Sequence, residues 1–324
     1  MTEIFAAVDL GGTTISGALA DAEGQIVCQR QVPTDAHEGP ADVLRRIVEL
    51  VQSLADQAKQ QPAALGVGVP GLVDVRTGVT KFFPNLPTQW REVPAGDVLS
   101  DQLQCPVRLL NDVRTATLGE LTYGHGQGKK ISMVFFALGT GVGGGVAIDG
   151  ELRLGPLGAA GELGHQTILA NGPLCGCGNR GCLETLASGP AIAAEGVRLL
   201  KTGLAPKLHE LVEGDAGRIT PKEMVAAADA GDDAVRDAIL RAAEYLGIGV
   251  ANAVTILHPQ LVVLGGGVAE MGAILIDHVD RVMRKRVGMF PTNDVRVVAS
   301  RLGNRAGLLG AIALASLGVG SFEK

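Results

Sequence analysis

Near the start of the chain, apolar residues come in short blocks separated by glycine and polar residues. "FAAVDL" is followed by "GGTT", "ISGALA" by "DAEG", and "QIVCQRQV" alternates sides, a pattern that predicts strand, tight turn, strand, turn, strand. From about Asp42 to Lys59 the spacing changes. Val43, Leu44, Ile47, Leu50, Val51 and Leu54 recur at helical intervals and share one face. "ALGVGVPG" reads as a strand ending in a Pro-Gly turn near Pro70. "KFFPNLPTQWREVP" has no period and is expected to be a loop that covers a cleft, with Trp90 lying over apolar surface. The strand "VRLLND" leads into a helix, "VRTATLGELTYG". "ISMVFFALGTGVGGGVAIDGEL" then repeats the order of strand, glycine turn and strand. Helices dominate from about Pro190 to Thr255, and Thr220, Pro221 and Glu223 carry the pattern of a capping box. "LVVLGGG" is a last strand opening onto a helix near Met271. The apolar helix "RAGLLGAIALASLG" is expected to pack against the first lobe.

"LGGTTISGAL" at Leu10 and "LGTGVGGGVA" at Leu138 share one grammar: a buried strand ends in a Gly/Thr turn and a second strand retraces it. This duplication predicts two lobes, residues 1–109 plus 303–324 and residues 110–302, each with a phosphate-facing turn. With 324 residues and 46% hydrophobic positions, the chain can bury a substantial core. Aromatics are only 3%, so that core must be built from Ala, Val, Leu and Ile. A net charge of −6 and the lack of a long basic run argue against a nucleic-acid partner. No basic-then-apolar leader opens the sequence and no apolar run reaches spanning length, so a cytoplasmic protein with no membrane partner is expected. In a reducing compartment, clustered cysteines are more readily metal ligands than disulfides.

There is no G-x-x-x-x-G-K-[ST]. "GTGVGG", Gly139–Gly144, matches G-x-G-x-x-G but runs into a strand rather than the helix a dinucleotide fold requires. Glycine turns still bind phosphate where backbone N–H groups face outward. Gly11, Gly12, Thr13 and Thr14 form one candidate turn; Gly139, Thr140, Gly141 and Gly143 form the other. The plainer reading, glycines that merely satisfy tight hairpins, stays open for either turn alone. Asp9 tips the balance, because an unpaired carboxylate ending an apolar strand is costly. A place beside Mg2+ or the phosphates explains it.

"VDLGGTTISGAL", "GVGVPGLVD", "LLNDVRTATLGE", "LGTGVGGG", "GAAGELGH" and "CGCGNRGCLE" occur in the order seen in the ROK family of sugar kinases and related repressors. The chain resembles that family throughout, most closely its bacterial glucokinase branch. The resemblance implies an α/β, two-lobed actin-like ATPase fold (ASKHA, ribonuclease H-like), with ATP and sugar bound in an interlobe cleft. It also implies a homo-oligomer, dimer or tetramer. By the same resemblance Asp112 is the catalytic base, Asn111 a sugar contact, and Gly265, Gly266 and Gly267 the adenosine site. Read alone, Asn111–Asp112 is equally a helix cap, with Asp as a common N-cap residue. Asn85 is a further candidate for touching sugar, or a turn residue before Leu-Pro.

Cys175, Cys177 and Cys182 have the spacing C-x-C-x4-C, one ligand short of tetrahedral zinc, and His165 lies ten residues earlier. The four are expected to make a closed structural site; the plainer reading is unpaired buried cysteines. The resemblance places zinc ligands at these positions. Coordination through one imidazole nitrogen leaves the other free to meet a hydroxyl, and the clip is expected to hold Glu162, His165 and Glu184 as hydroxyl readers. Cys28 and Cys105 look like core residues.

The expectation is an ATP- and Mg2+-dependent hexose kinase with structural Zn2+, making glucose 6-phosphate. The alternatives are a kinase for N-acetylmannosamine, N-acetylglucosamine or fructose, and a sugar-responsive ROK regulator. Such regulators carry a helix-turn-helix module for which the position of Gly11 leaves no room.

Overall fold

The computed structural model describes residues 2–84 and 86–317. The chain forms two units: Met1–Lys130, Gly150–Ala160 and Arg301–Lys324 make unit 1, and Ile131–Asp149 with Gly161–Ser300 make unit 2. Unit 1 opens with β1 (Phe5–Leu10), β2 (Thr14–Ala20) and β3 (Ile26–Pro33), then α1 (Pro40–Ala58) and β4 (Leu65–Val69). The short β5 (Leu72–Val73) and β6 (Thr80–Phe82), α2 (Ala95–Leu103), β7 (Val107–Asn111) and α3 (Asp112–Thr122) follow. The sheet order is β3-β2-β1-β4-β7; the two opening hairpins are antiparallel and β4 and β7 are added in parallel. Pro40 starts α1, and the helix buries the six apolar residues that share its face.

The second unit begins with β8 (Met133–Leu138) and β9 (Val142–Ile148). The chain then returns to unit 1 for β10 (Glu151–Leu152). Back in unit 2 come α4 (Glu184–Ala187), α5 (Gly189–Lys201), α6 (Pro206–Leu211), α7 (Pro221–Asp229) and α8 (Asp233–Leu257). They are followed by β11 (Leu261–Gly265), α9 (Ala273–Arg286) and β12 (Arg296–Ala299). The β9-β8 hairpin is antiparallel, and β11 and β12 are added in parallel beside β8. The order β9-β8-β11-β12 in unit 2 therefore repeats the order β2-β1-β4-β7 in unit 1.

α10 (Ala306–Ser316) completes unit 1, lying on β1, β4 and α3. Its contact with α3 is backbone on backbone. A Cβ on Gly310 would sit 1.8 Å from the Thr115 carbonyl oxygen, so only glycine fits. This packing, with β7 paired to β4, binds residues 110–130 into the first core. The division accordingly falls after Lys130 rather than at 109, and the tail rejoins at Arg301.

The segment expected to be a loop over a cleft instead enters the unit 1 core: Trp90 does cover apolar surface, 1% exposed and stacked on Phe83 at 5.3 Å between centroids. Among the described residues α8 is long and apolar enough, by composition, to cross a membrane. Its Val235, Ile239, Leu246, Val250 and Val254 are instead core residues of unit 2.

Candidate functional site

The β1–β2 turn is closed by the Gly11 N–H donating to Thr14 O at 3.0 Å. Buried Thr34 clamps it from behind, its hydroxyl donating to Gly11 O at 2.8 Å and its N–H to Thr13 O at 2.9 Å. Gly12 and Thr13 are left exposed at the tip. Asp9 lies part-buried at the end of β1, opposite Gly68 of β4. A Cβ on Gly307 would come within 2.8 Å of its Oδ2, so glycine keeps space beside the carboxylate. Burial, and secondly the charge of Asp112, push the Asp9 carboxyl up to about 6. A carboxylate so placed gains most from a cation.

At the end of β7 the helix cap is Asn111, not Asp112: the Asn111 Oδ1 accepts from Val113 N at 3.1 Å and Arg114 N at 3.3 Å. Asp112 is thereby the first helical residue. Its Oδ1 accepts from Val113 N at 2.8 Å and from Asn111 Nδ2 at 2.9 Å. The Asn111 amide also donates to Gly71 O at 3.3 Å, so both of its hydrogens are engaged within the protein. Arg114, 2% exposed, donates from Nη1 to Asn111 Oδ1 at 2.9 Å. Asn85 lies outside the described residues.

In unit 2 the β8–β9 turn is closed by Gly139 N donating to Gly141 O at 2.9 Å, and Gly189 N at the start of α5 reaches Gly139 O at 2.9 Å. Thr140 sits in this turn, whereas Gly143 is inside the ladder opposite Ala137. The stretch carrying Glu162 and His165 packs under the turn without intervening side chains: a Cβ on Gly164 would lie 1.7 Å from Val142 O. Glu184, first residue of α4, accepts from Val142 N at 3.0 Å through Oε2, and its Oε1 lies 3.6 Å from Cys175 Sγ. One carboxylate thus joins the glycine turn to the cysteine loop.

His165, Cys175, Cys177 and Cys182 present one donor atom each, all within 4.8 Å of one another. The His165 Nδ1 is 3.6 Å from Cys175 Sγ, and the Cys177 and Cys182 sulfurs are 3.7 Å apart, too far for a disulfide. With Zn–S of about 2.3 Å and Zn–N of about 2.1 Å, the edges of a zinc tetrahedron are roughly 3.8 Å between sulfurs and roughly 3.6 Å from sulfur to nitrogen. The donor set fits. Burial, with hydrogen bonds from the neighbouring cysteines, pushes the Cys182 thiol up to about 12, whereas the Asn179 backbone pulls the Cys177 thiol down. The other ring nitrogen of His165 lies 4.0 Å from Glu162 Oε2. Cys28 and Cys105 are buried, as expected.

A cavity of about 490 Å3 opens beside this turn, lined by Gly139, Thr140, Gly189, Pro190, Ala193, Ile219, Thr220, Pro221, Lys222, Gly267, Val268 and Glu270. Of the three expected adenosine glycines, Gly267 lines it. Gly265 packs on Phe135, and Gly266, at φ +82, turns tightly over Leu138 O. The starts of α5 and α7 supply much of the remaining wall, of which the sequence signalled only the second, as a capping box at Thr220.

A protein-family model described as ROK family matches residues 5–317. A glucokinase of Thermotoga maritima is 37% identical, with 95% of each chain covered. A xylose repressor of Caldicellulosiruptor bescii is 32% identical over 95% of this chain and 76% of the repressor. The crystal structure of a ROK family glucokinase from Streptomyces griseus, in complex with glucose and AMPPNP, superposes with a TM-score of 0.82 at 32% identity, covering 97% of this chain and 100% of that one. The fold is the actin-like ATPase fold that these kinases share. From residue 5 to residue 317, the chain belongs to the ROK family.

Proposed function

We propose that the protein is an ATP- and Mg2+-dependent hexose kinase that phosphorylates glucose at its 6-hydroxyl. The observation that carries this reading is the Asp112 carboxylate, fixed from two sides on Oδ1 at the start of α3, in a unit whose glycine turn is braced and open at its tip. The transferred phosphoryl passes through a loose transition state, so the acceptor oxygen needs little activation. As that oxygen bonds to the γ-phosphorus and the bond to the leaving ADP oxygen breaks, Asp112 accepts the hydroxyl proton. Gly11–Thr14 and Gly139–Gly143 hold the phosphates. Asp9 faces Mg2+, which when bound offsets phosphate charge. Gly267, with the starts of α5 and α7, takes the adenosine. Asn111, Glu162, His165, Glu184 and Asn85 read the sugar.

The cysteine cluster binds zinc through four protein ligands with no position open for water, so its role is to shape the loop. The enzyme is read as cytoplasmic and as a dimer or tetramer, which light scattering measures directly.

Steady-state kinetics with ATP on a hexose panel test the assignment. Glucose is expected to give the highest kcat/KM. A higher value for N-acetylmannosamine, N-acetylglucosamine or fructose would replace the substrate and leave the reaction. The similarity to a xylose repressor keeps a second reading in play, a sugar-responsive regulator. Sugar binding without turnover on any panel member would favour it.

A further inference from the structure

A helix start favours negative charge, yet the first turn of α3 holds a cation with almost no access to solvent. Arg114 is 2% exposed, and among the described residues its guanidinium reaches acceptors in two parts of unit 1. Nη1 donates to Asn111 Oδ1 at 2.9 Å, Nη2 to Ala159 O at 2.9 Å and Nε to Ala160 O at 3.2 Å. Burying a cation is costly, and a neutral side chain of similar length would fill the same space. Its partners say what the charge is for.

Asn111 Oδ1 receives three donors: the Val113 and Arg114 amides and the guanidinium. A carboxamide held that way must turn its NH2 toward acceptors, and these are Gly71 O and Asp112 Oδ1. Ala159 and Ala160 end the segment that belongs to unit 1, two residues before Glu162 and five before His165. Lysine, a point charge on a flexible stem, cannot serve the three acceptors from one plane; arginine can.

We propose that Arg114 is a positioning residue of the acceptor side. It sets Asp112 through Asn111 and anchors, at Ala159–Ala160, the chain from which the Glu162–His165 stretch departs. This rests on reading Asp112 as the base of a sugar kinase.

The test uses R114M, R114K and R114A in the full chain. For R114M, sugar kcat/KM should fall about 100-fold, the scale of a small misplacement of reacting groups, while the ATP KM stays within about twofold. R114K should lie between, and guanidinium ion should restore part of the activity of R114A. Amide exchange across residues 154–162 should rise in R114A. The proposal is overturned if R114M stays within about threefold of wild type in sugar kcat/KM, because a misplaced base costs more than that. It is also overturned if the ATP KM rises with the sugar defect, if folded R114A is not rescued, or if exchange at 154–162 is unchanged. Failure of the underlying kinase reading looks different: wild type then turns over no sugar, or D112N keeps its activity.

Discussion

Asp9 and Asp112 stand in the same unit, and each makes a different demand on the protein. For Asp112→Asn the bond from Val113 N can persist while the proton acceptor is gone. We expect kcat to drop by roughly 10^2- to 10^4-fold, with sugar binding within about threefold, as for loss of a general base. A variant retaining a large fraction of wild-type kcat would remove Asp112 from the chemistry. Asp9 bears on stability. Its carboxyl titrates at about 6 in the folded protein against about 3.9 in an unfolded chain. Below pH 4 both states hold the proton and nothing is lost. Between pH 4 and 6 the unfolded chain releases it first, so raising the pH weakens folding; above 6 the penalty levels off, at most on the order of 3 kcal/mol. Asp9→Asn should therefore match wild type near pH 4 and exceed it in stability by pH 7, as read by urea unfolding without nucleotide. A stability difference that does not change with pH would contradict this.

At the scale of elements, the hairpins were legible because glycine turns interrupt apolar runs, and α1 because its six apolar residues recur at helical spacing. The start of α3 was not. Which of two adjacent Asx residues caps a helix depends on where the strand leaves off, and here the chain is extended at Asn111, with ψ 142, which makes Asn111 the cap. Nothing in the sequence marked Arg114, because two of its acceptors come from residues 45 and 46 positions further on. The cysteine spacing did announce a cluster of three thiols and an imidazole able to hold a metal, but not that Glu184 joins that loop to the β8–β9 turn through the Val142 N–H. With zinc bound there as proposed, that link carries the consequence of losing it beyond the residues proposed to read the sugar. Cys177→Ser, or chelation, should remove about one zinc per chain by elemental analysis, a fourth ligand being needed to close the tetrahedron. Amide exchange should rise in residues 166–183 and also in 139–142, and the KM for ATP should rise along with that for sugar. Exchange confined to the cysteine loop would mean that Glu184 does not transmit its order.

Across the whole molecule, the duplicated topology gives each unit a hydrophobic core of its own: Ile15, Ile47, Leu54, Leu65 and Trp90 in one, Phe136, Leu183, Ile239, Leu246 and Val262 in the other. Separate cores favour separate unfolding, since cooperativity follows shared burial. The only tryptophan, Trp90, lies in unit 1, and the His165–Cys175–Cys177–Cys182 cluster lies in unit 2. Tryptophan fluorescence therefore follows the first core alone, whereas far-ultraviolet circular dichroism follows both. If the cluster holds zinc as proposed, withdrawing it removes cross-links from the second core only. Chelation should then lower one dichroism transition by on the order of 5 °C, while the fluorescence midpoint stays where it was. Asp9→Asn at pH 7 should do the reverse, raising the fluorescence midpoint and leaving the zinc-sensitive transition in place. Two perturbations, each confined to the unit that contains it, would show that the halves of this fold are stabilised independently. Midpoints that move together under either perturbation would show that the molecule unfolds as one.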